Sequence, residues 1–338
     1  MKRITIAGGG LAGLSLGIAL SRRGVPVTIR EAGSYPRHRV CGEFINGVTH
    51  DTLVNLGIDS LFQDALRHES TRWWMGGTRI LEARLPRPAL GMSRWEMDER
   101  LRVEFASSGG ELRTNDRARR EPAEGFVWTA GRRLDKESSL LGLKAHFEGL
   151  ELNGYLEMHI GNGSYIGLTP VAADGSRVNV CGLFQKYDHT KGGNPIVEAL
   201  RKSGLEELAD RLAEARMDAK SLTGISGIEL GGQEVDEGLC TLGDAERMIP
   251  PFTGNGMSMA FESAECALEP LLEYAKGKAG WGRTRDEISK ALDERFRARV
   301  RLALLGHRCL VNSAGRAILS AAARSGILPF AWLHRRLS

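Results

Sequence analysis

Gly8-x-Gly10-x-x-Gly13 follows the β-branched run Ile4–Ile6 and opens an apolar, helix-periodic run that reaches Arg23. A second strand-like run, Val25 to Ile29, then ends on Glu31. Strand, glycine-rich turn and helix start in that order, with an acid at that distance, form a dinucleotide-binding pattern. Gly8 permits the tight turn, Gly10 lets the backbone approach a pyrophosphate, and Gly13 lets the helix pack closely on the strand. Ala12 lies in the first helical turn, whose free N–H groups and positive dipole end favour an anion. Glu31, at the tip of the second strand, is placed to accept hydrogen bonds from ribose hydroxyls.

Two further stretches carry chemistry. The first is Tyr35-Pro-Arg37-His-Arg39-Val-Cys41-Gly42-Glu43, an ordered loop in which Pro and Gly forbid a regular element and cations suit phosphate. The second is Gly243-Asp244-Ala245, followed by Pro250-Pro251-Phe-Thr-Gly254-Asn255-Gly256-Met257 and a helical run. The first loop resembles the PR-x-K-x-CGE loop, and the second the GDAxxxxxPxxGxGMxxAxxSA signature, of the geranylgeranyl reductase-like flavoproteins, which belong to the para-hydroxybenzoate hydroxylase type of FAD enzyme.

The resemblance implies FAD and assigns roles. Gly8, Gly10, Ala12, Gly13, Glu31, Arg39, Cys41 and Gly42 hold one part of the cofactor. Gly243, Asp244, Pro251, Gly254, Asn255, Gly256 and Met257 hold another, with Asp244 accepting from the ribityl hydroxyls and the Gly256 helix start facing the flavin ring. That positive helix end would stabilise an anionic reduced flavin. Arg94, opening the amphipathic helix 94–107, matches the family's FAD-contacting arginine. Cys41 is placed near the substrate side of the flavin. Cys41 and Tyr165 are the candidate catalytic residues, although a free cysteine is ordinarily a small buried hydrophobe.

The chain departs from the family in two places. Thr129-Ala130-Gly131-Arg132 replaces the usual Ala-Asp-Gly, which questions pyridine-nucleotide docking in the usual mode and leaves NAD(P)H or another reductant open as electron donor. Gly163-Ser-Tyr165-Ile-Gly167-Leu168 only partly matches the GYxWxFP segment and lacks its tryptophan, so a prenyl substrate is not implied.

The elements that position these residues are legible from periodicity. Helices are expected within 47–66, and strands from Thr71 to Met92 with the pair Trp73-Trp74 read as core. From Gly142 to Phe184 the hydrophobics alternate, and Gly161-Asn-Gly163 and Asp174-Gly175 mark hairpin turns, so an antiparallel sheet is expected. Lys144, His146 and His159 lie on its strands and are read as capping a surface or satisfying buried hydrogen bonds. Two amphipathic helices follow over 195–216, then a strand pair from Leu222 to Leu230. The fold class is therefore α/β: an FAD-binding Rossmann-like (glutathione reductase-like) domain with an inserted antiparallel substrate sheet and C-terminal helices. The domains are 1–70, 93–135 and 230–290 for FAD, 71–92 and 136–229 for the sheet, and 291–338 for a basic helical segment.

That last segment has no acid after Glu294 but carries Arg295, Arg297, Arg299, Arg301, Arg308, Arg316, Arg324, Arg335 and Arg336. It is open to three readings: a solvated closing layer, contact with an anionic membrane surface, or contact with an acidic carrier protein. Nucleic acid is disfavoured, because a net charge of only +4 accompanies no recognition motif. Five scattered cysteines without a CxxC pair suit a reducing compartment and give no metal framework.

Met1-Lys-Arg before the uncharged stretch Ile4–Ser21 superficially resembles a signal peptide. The glycines and the β-then-α pattern oppose that, so a cytoplasmic protein, peripheral to the membrane in one reading, is expected. The function expected is an FAD-dependent oxidoreductase that reduces or dehydrogenates an apolar small molecule by hydride transfer through flavin N5. The alternatives are an aromatic hydroxylase or a halogenase using oxygen activated on the flavin, and a flavin-binding peripheral membrane protein without turnover.

Overall fold

A computed structural model describes residues 1–188 and 192–337. The chain begins with strand β1 (Ile4–Ala7), helix α1 (Leu11–Ser21) and strand β2 (Val27–Arg30), then adds the short β3 (Phe44–Ile45) and helix α2 (His50–Leu56). The hairpin β4 (Leu66–Met75) and β5 (Thr78–Gly91) precedes helix α3 (Arg94–Ser107) and strands β6 (Glu111–Arg113) and β7 (Phe126–Trp128). Strands β8 (Leu140–Glu148), β9 (Leu156–Gly161), β10 (Ser164–Pro170) and β11 (Val178–Gln185) lead to helices α4 (Pro195–Lys202) and α5 (Glu206–Glu214) and strand β12 (Arg216–Ser226). Three short strands, β13 (Gly231–Gly232), β14 (Cys240–Thr241) and β15 (Arg247–Met248), precede helices α6 (Gly256–Ala275), α7 (Trp281–Val311), α8 (Ser313–Arg324) and α9 (Phe330–Leu337).

Two sheets organise these elements. The first is parallel, in the order β14-β7-β1-β2-β6. Ile4, Ile6 and Ile29 are fully buried, as strands covered on both faces require. Helix α1 is buried over every residue but its last, because it lies between this sheet and helices α6 and α3. Its apolar residues therefore run all round, without a polar stripe.

The second sheet runs β12-β8-β11-β10-β9-β4-β5-β3. Helices α4 and α5 cover one face through Ile196, Leu200 and Leu212 packed near Phe147 and Val180. The other face looks towards the first domain and the C-terminal helices.

Several expectations need correction. The sheet is mixed rather than antiparallel, because β4 and β9 pair in parallel. They meet only after α3, β6 and β7 intervene, so no hairpin dictates their direction. The first strand of the hairpin starts at Leu66, five residues before the expected Thr71. The strand pair expected over 222–230 is the single strand β12, which begins at Arg216 and shifts register between Asp218 and Thr223. The last helical layer starts at Trp281 rather than Ala291. The two tryptophans part company on opposite faces of β4. Trp73 lines a cavity, whereas Trp74 stacks on His159 with ring centroids 4.8 Å apart.

Candidate active site

The β1–α1 turn shows why each glycine is needed. A Cβ on Gly8, whose φ is +106°, would lie 2.6 Å from Ala130 Cα, and one on Gly13 would lie 2.1 Å from the Gly8 carbonyl oxygen. Gly10 is different: a Cβ there meets nothing within 4 Å, so this side of the turn is open. Gly10 also caps α1 without a side-chain bond, which leaves the first amides of the helix free. Glu31 reaches back to this turn and is already engaged. Its Oε2 accepts from the Gly9 amide at 2.7 Å, while Oε1 accepts from the Gly33 amide at 2.8 Å and from Arg37 at 2.7 Å. Burial opposes its charge, but these donors hold its carboxyl below the usual range. A ribose would therefore share Glu31 with the chain's own donors.

The segment around Asp244 folds onto the same place. Strand β14 pairs with β7, which pairs with β1, and a Cβ on Gly243 would touch Ala12 Cβ at 3.3 Å. Asp244 is half-buried and, among the described residues, carries no hydrogen-bond donor. Burial raises its pKa, and the Arg132 and Arg94 charges only partly offset this. Arg132 answers it: its Nε and Nη2 are buried and unpartnered.

Helix α6 begins nearby at Asn255, a fully buried cap whose Oδ1 is also unpartnered. Gly254, with φ +67°, is needed because the Phe44 ring packs where its Cβ would be, at 2.1 Å. This contact presses the Cys41–Ile45 loop against Pro251–Gly254. The Met257 side chain is buried in the core, so only its backbone is offered at the helix start.

Arg94 opens α3 as expected, and it is buried. Its Nε and Nη2 donate to Asp98 at 2.8 and 3.0 Å, and its guanidinium also meets the Cys41 thiol. Arg39 donates to the same carboxylate at 2.8 Å, with its Nη2 buried and free. One fully buried acid thus holds two guanidinium groups beside the glycine-rich turns, leaving net positive charge for a phosphate.

Beside these groups opens an apolar cavity of about 440 Å³. The flavin-side loops bound it through Cys41, Gly42 and Pro251, the sheet through Met158 and Tyr165, and the last helices through Leu319 and Phe330. Tyr165 is buried, with its hydroxyl 3.3 Å from His307 Nδ1 and its ring edge-on to Phe252. Burial pushes the Tyr165 phenol and the Cys41 thiol well up, so both stay protonated near neutrality.

Sequence reasoning missed the cluster beneath the Cys41 loop. Glu43, in the left-handed region at φ +57°, is fully buried. Its Oε2 lies 2.6 Å from His146 Nε2, and its Oε1 lies 3.2 Å from Lys144 Nζ and accepts from the Arg94 amide at 3.0 Å. Lys144 also contacts His38 Nδ1 at 3.1 Å. Alternate residues on β8 point to one face, which was the available signal; the fully buried partner acid was not.

The polar groups that lack partners fit FAD. Free amides at two helix starts and Arg39 Nη2 suit its phosphates, and the donorless Asp244 suits its ribityl hydroxyls. Comparison with known proteins agrees. Residues 2–147 match the FAD binding domain family. Sequence comparison with curated proteins finds no match.

Among solved structures, the chain is similar to a geranylgeranyl bacteriochlorophyll reductase-like protein from Thermoplasma acidophilum, with TM-score 0.76 and 16% identity over 99% of this chain and 96% of that one. It is similar to a flavin-dependent brominase, with TM-score 0.74 and 16% identity over 99% and 94%. It is likewise similar to p-nitrophenol 4-monooxygenase from Pseudomonas putida, with TM-score 0.72 and 18% identity over 99% of each chain. At such identities these likenesses establish the fold. The chain is an FAD-dependent oxidoreductase: its residues 2–147 match the FAD binding domain family, and the whole chain has the fold of the geranylgeranyl reductase-like and para-hydroxybenzoate hydroxylase-type flavoproteins.

Proposed function

We propose that this enzyme reduces a carbon–carbon double bond in an elongated, apolar molecule. The observation that carries this reading is the cavity, which extends from the Cys41 loop to the underside of the C-terminal helices and is lined mainly by aliphatic and aromatic side chains, with Asn46, Arg132, Glu157 and His334 among its few polar residues. A long apolar substrate recovers the hydrophobic driving force over that whole length. FAD held against the two glycine-rich turns, once reduced by an external donor, would supply the hydride.

The chain's own contribution is the matching proton and the water-free setting. Cys41 Sγ–H is held protonated by burial and touches the cavity, so it is a proton donor rather than a nucleophile. Once the proton has passed to substrate carbon, the thiolate faces the Arg94 guanidinium, which stabilises it. Arg94 in turn is fixed by Asp98.

The test is turnover without oxygen. Holoenzyme reduced by dithionite under anaerobic conditions is mixed with a long polyprenyl alcohol, and saturated product is sought by mass spectrometry. Saturation without oxygen supports the reading. Product that forms only with oxygen, and carries one of its atoms, would overturn it in favour of a monooxygenase.

A further inference from the structure

We infer that helices α8 and α9 form a docking face for an anionic lipid bilayer, set directly over the mouth of the apolar cavity. Neither helix has a single buried residue. Their inner sides reach the cavity through Leu319, Phe330 and Leu333, so the cover there is one helix thick. Their outer sides expose Ile318 at 71% and Trp332 at 54%, with alanines beside them, and the connection between the helices exposes Ile327 at 74%. Large apolar side chains this exposed, on helices that leave nothing else to bury, mark a contact surface.

The charge around these residues identifies the partner. Earlier arginines of the segment are neutralised within the chain: Arg295 and Arg299 pair with the buried Glu262, and Arg297 pairs with Asp293. Arg301, Arg308, Arg324, Arg335 and Arg336 have no acidic partner among the described residues, and no acid follows Glu294 in the sequence to provide one. Beside a projecting isoleucine, arginines without an acidic partner among the described residues, one of them (Arg336) lying over the Trp332 ring, have the chemistry of an interfacial helix. The aromatic and aliphatic side chains enter the acyl boundary and the guanidinium groups meet lipid phosphates. Small residues between the projecting ones leave no pocket for a protein partner's anchor side chain, whereas a fluid bilayer needs none. Among the described residues no helix is long and apolar enough to cross a membrane, so the contact lies on the surface. Docking does not depend on the proposed reduction; the two meet only in that a lipid-dissolved substrate would enter the cavity from this side.

The holoenzyme is sedimented with sucrose-loaded vesicles of phosphatidylcholine, with and without phosphatidylglycerol. Binding is expected to the anionic vesicles alone and to weaken with salt. The double variants Arg335→Gln/Arg336→Gln and Ile318→Asp/Trp332→Asp should each lower the partition coefficient about tenfold or more. Val103→Asp, at an exposed apolar residue of α3, should not change it. Flavin content and circular dichroism report that the variants remain folded. As a milder check, Trp332→Phe should remove the part of tryptophan fluorescence that brominated lipids quench. The proposal is overturned if the protein ignores anionic vesicles or if the variants bind as the parent does. It is also overturned if the parent elutes as a dimer that Ile318→Asp dissolves, which would assign the face to a second copy. If vesicle binding holds while no apolar alkene is ever turned over, the reading of the reaction fails alone.

Discussion

Glu43 Oε2 sits 2.6 Å from His146 Nε2, and that contact ties the loop carrying Cys41 and Gly42 to strand β8 of the other sheet. Lys144, on the same face of β8, closes on the second oxygen. The loop that faces the cavity is therefore held from beneath by a fully buried acid.

Removing one side of such a buried set strands the other. Glu43→Ala leaves a buried lysine uncompensated and should cost about 3–5 kcal/mol of stability, read as a fall in the denaturant midpoint. Glu43→Gln keeps one acceptor and should cost less. Burial opposes the charge on Glu43, but His146 and Lys144 outweigh it and hold its carboxyl below the usual range. A carboxylate depressed in the folded state stabilises above its unfolded pKa. The gap between parent and Glu43→Gln should thus persist at neutral pH and close as the medium is acidified through the depressed value.

His38 predicts a second pH dependence. Burial first, and then the Lys144 charge, lower its pKa from 6.5 to about 4. Between those values the unfolded chain binds a proton that the folded chain refuses, so stability falls as pH drops from 6.5 towards 4. His38→Gln should flatten that slope by up to about one proton per molecule, measured as denaturant midpoint against pH. An unchanged slope would place the titration elsewhere.

The opening turn separates folding from cofactor binding. Gly10→Ala adds a methyl into open space and should leave the apoprotein's melting temperature nearly unchanged while weakening FAD at least about tenfold, roughly 1.4 kcal/mol. Gly13→Ala drives a Cβ into the Gly8 carbonyl, a backbone atom, and should fail to fold. Flavin fluorescence titration of the apoproteins, beside thermal melts, reads both effects.

The same contrast shows how far the sequence could be read. Glycines at 8, 10, 13, 254 and 256 announce their turns because backbone geometry is a local property. The strand and hairpin pattern between Gly142 and Phe184 was legible for the same reason, but the parallel pairing of β4 with β9 was not, since it joins segments about 85 residues apart. Glu43 was visible only as part of a loop resemblance. Its partners Lys144 and His146 were legible as strand residues that cap a surface or satisfy buried hydrogen bonds, but not as partners of Glu43, because nothing local tells a lysine which distant acid it will be buried against. Arg132 was seen only as the place of an absent acid, and its unpartnered guanidinium emerges once Asp244 is set near it.

That pair makes its own prediction. Asp244→Ala removes a carboxylate that accepts from no donor among the described residues, so it should leave folding intact and cost FAD about 1.5–3 kcal/mol of binding, the worth of a charged hydrogen bond. A variant that binds FAD as the parent does would remove Asp244 from the cofactor site.

The cavity can be shortened without disturbing either domain. Gly167 on β10 lines it beside Tyr165, and a Cβ there would approach only two carbonyl oxygens, at 3.8 and 3.9 Å. Gly167→Phe should therefore fold and bind FAD as the parent does, with its ring occupying space meant for substrate. Pocket length discriminates between apolar ligands by factors of about 10–200 per misfitted group, so the rise in KM should grow with substrate length. A short apolar alkene should be reduced at nearly the parental rate, while a long one should lose about tenfold or more in kcat/KM. Equal losses for both would mean that the substrate does not extend past Gly167, and the elongated cavity would then serve some other purpose than holding it.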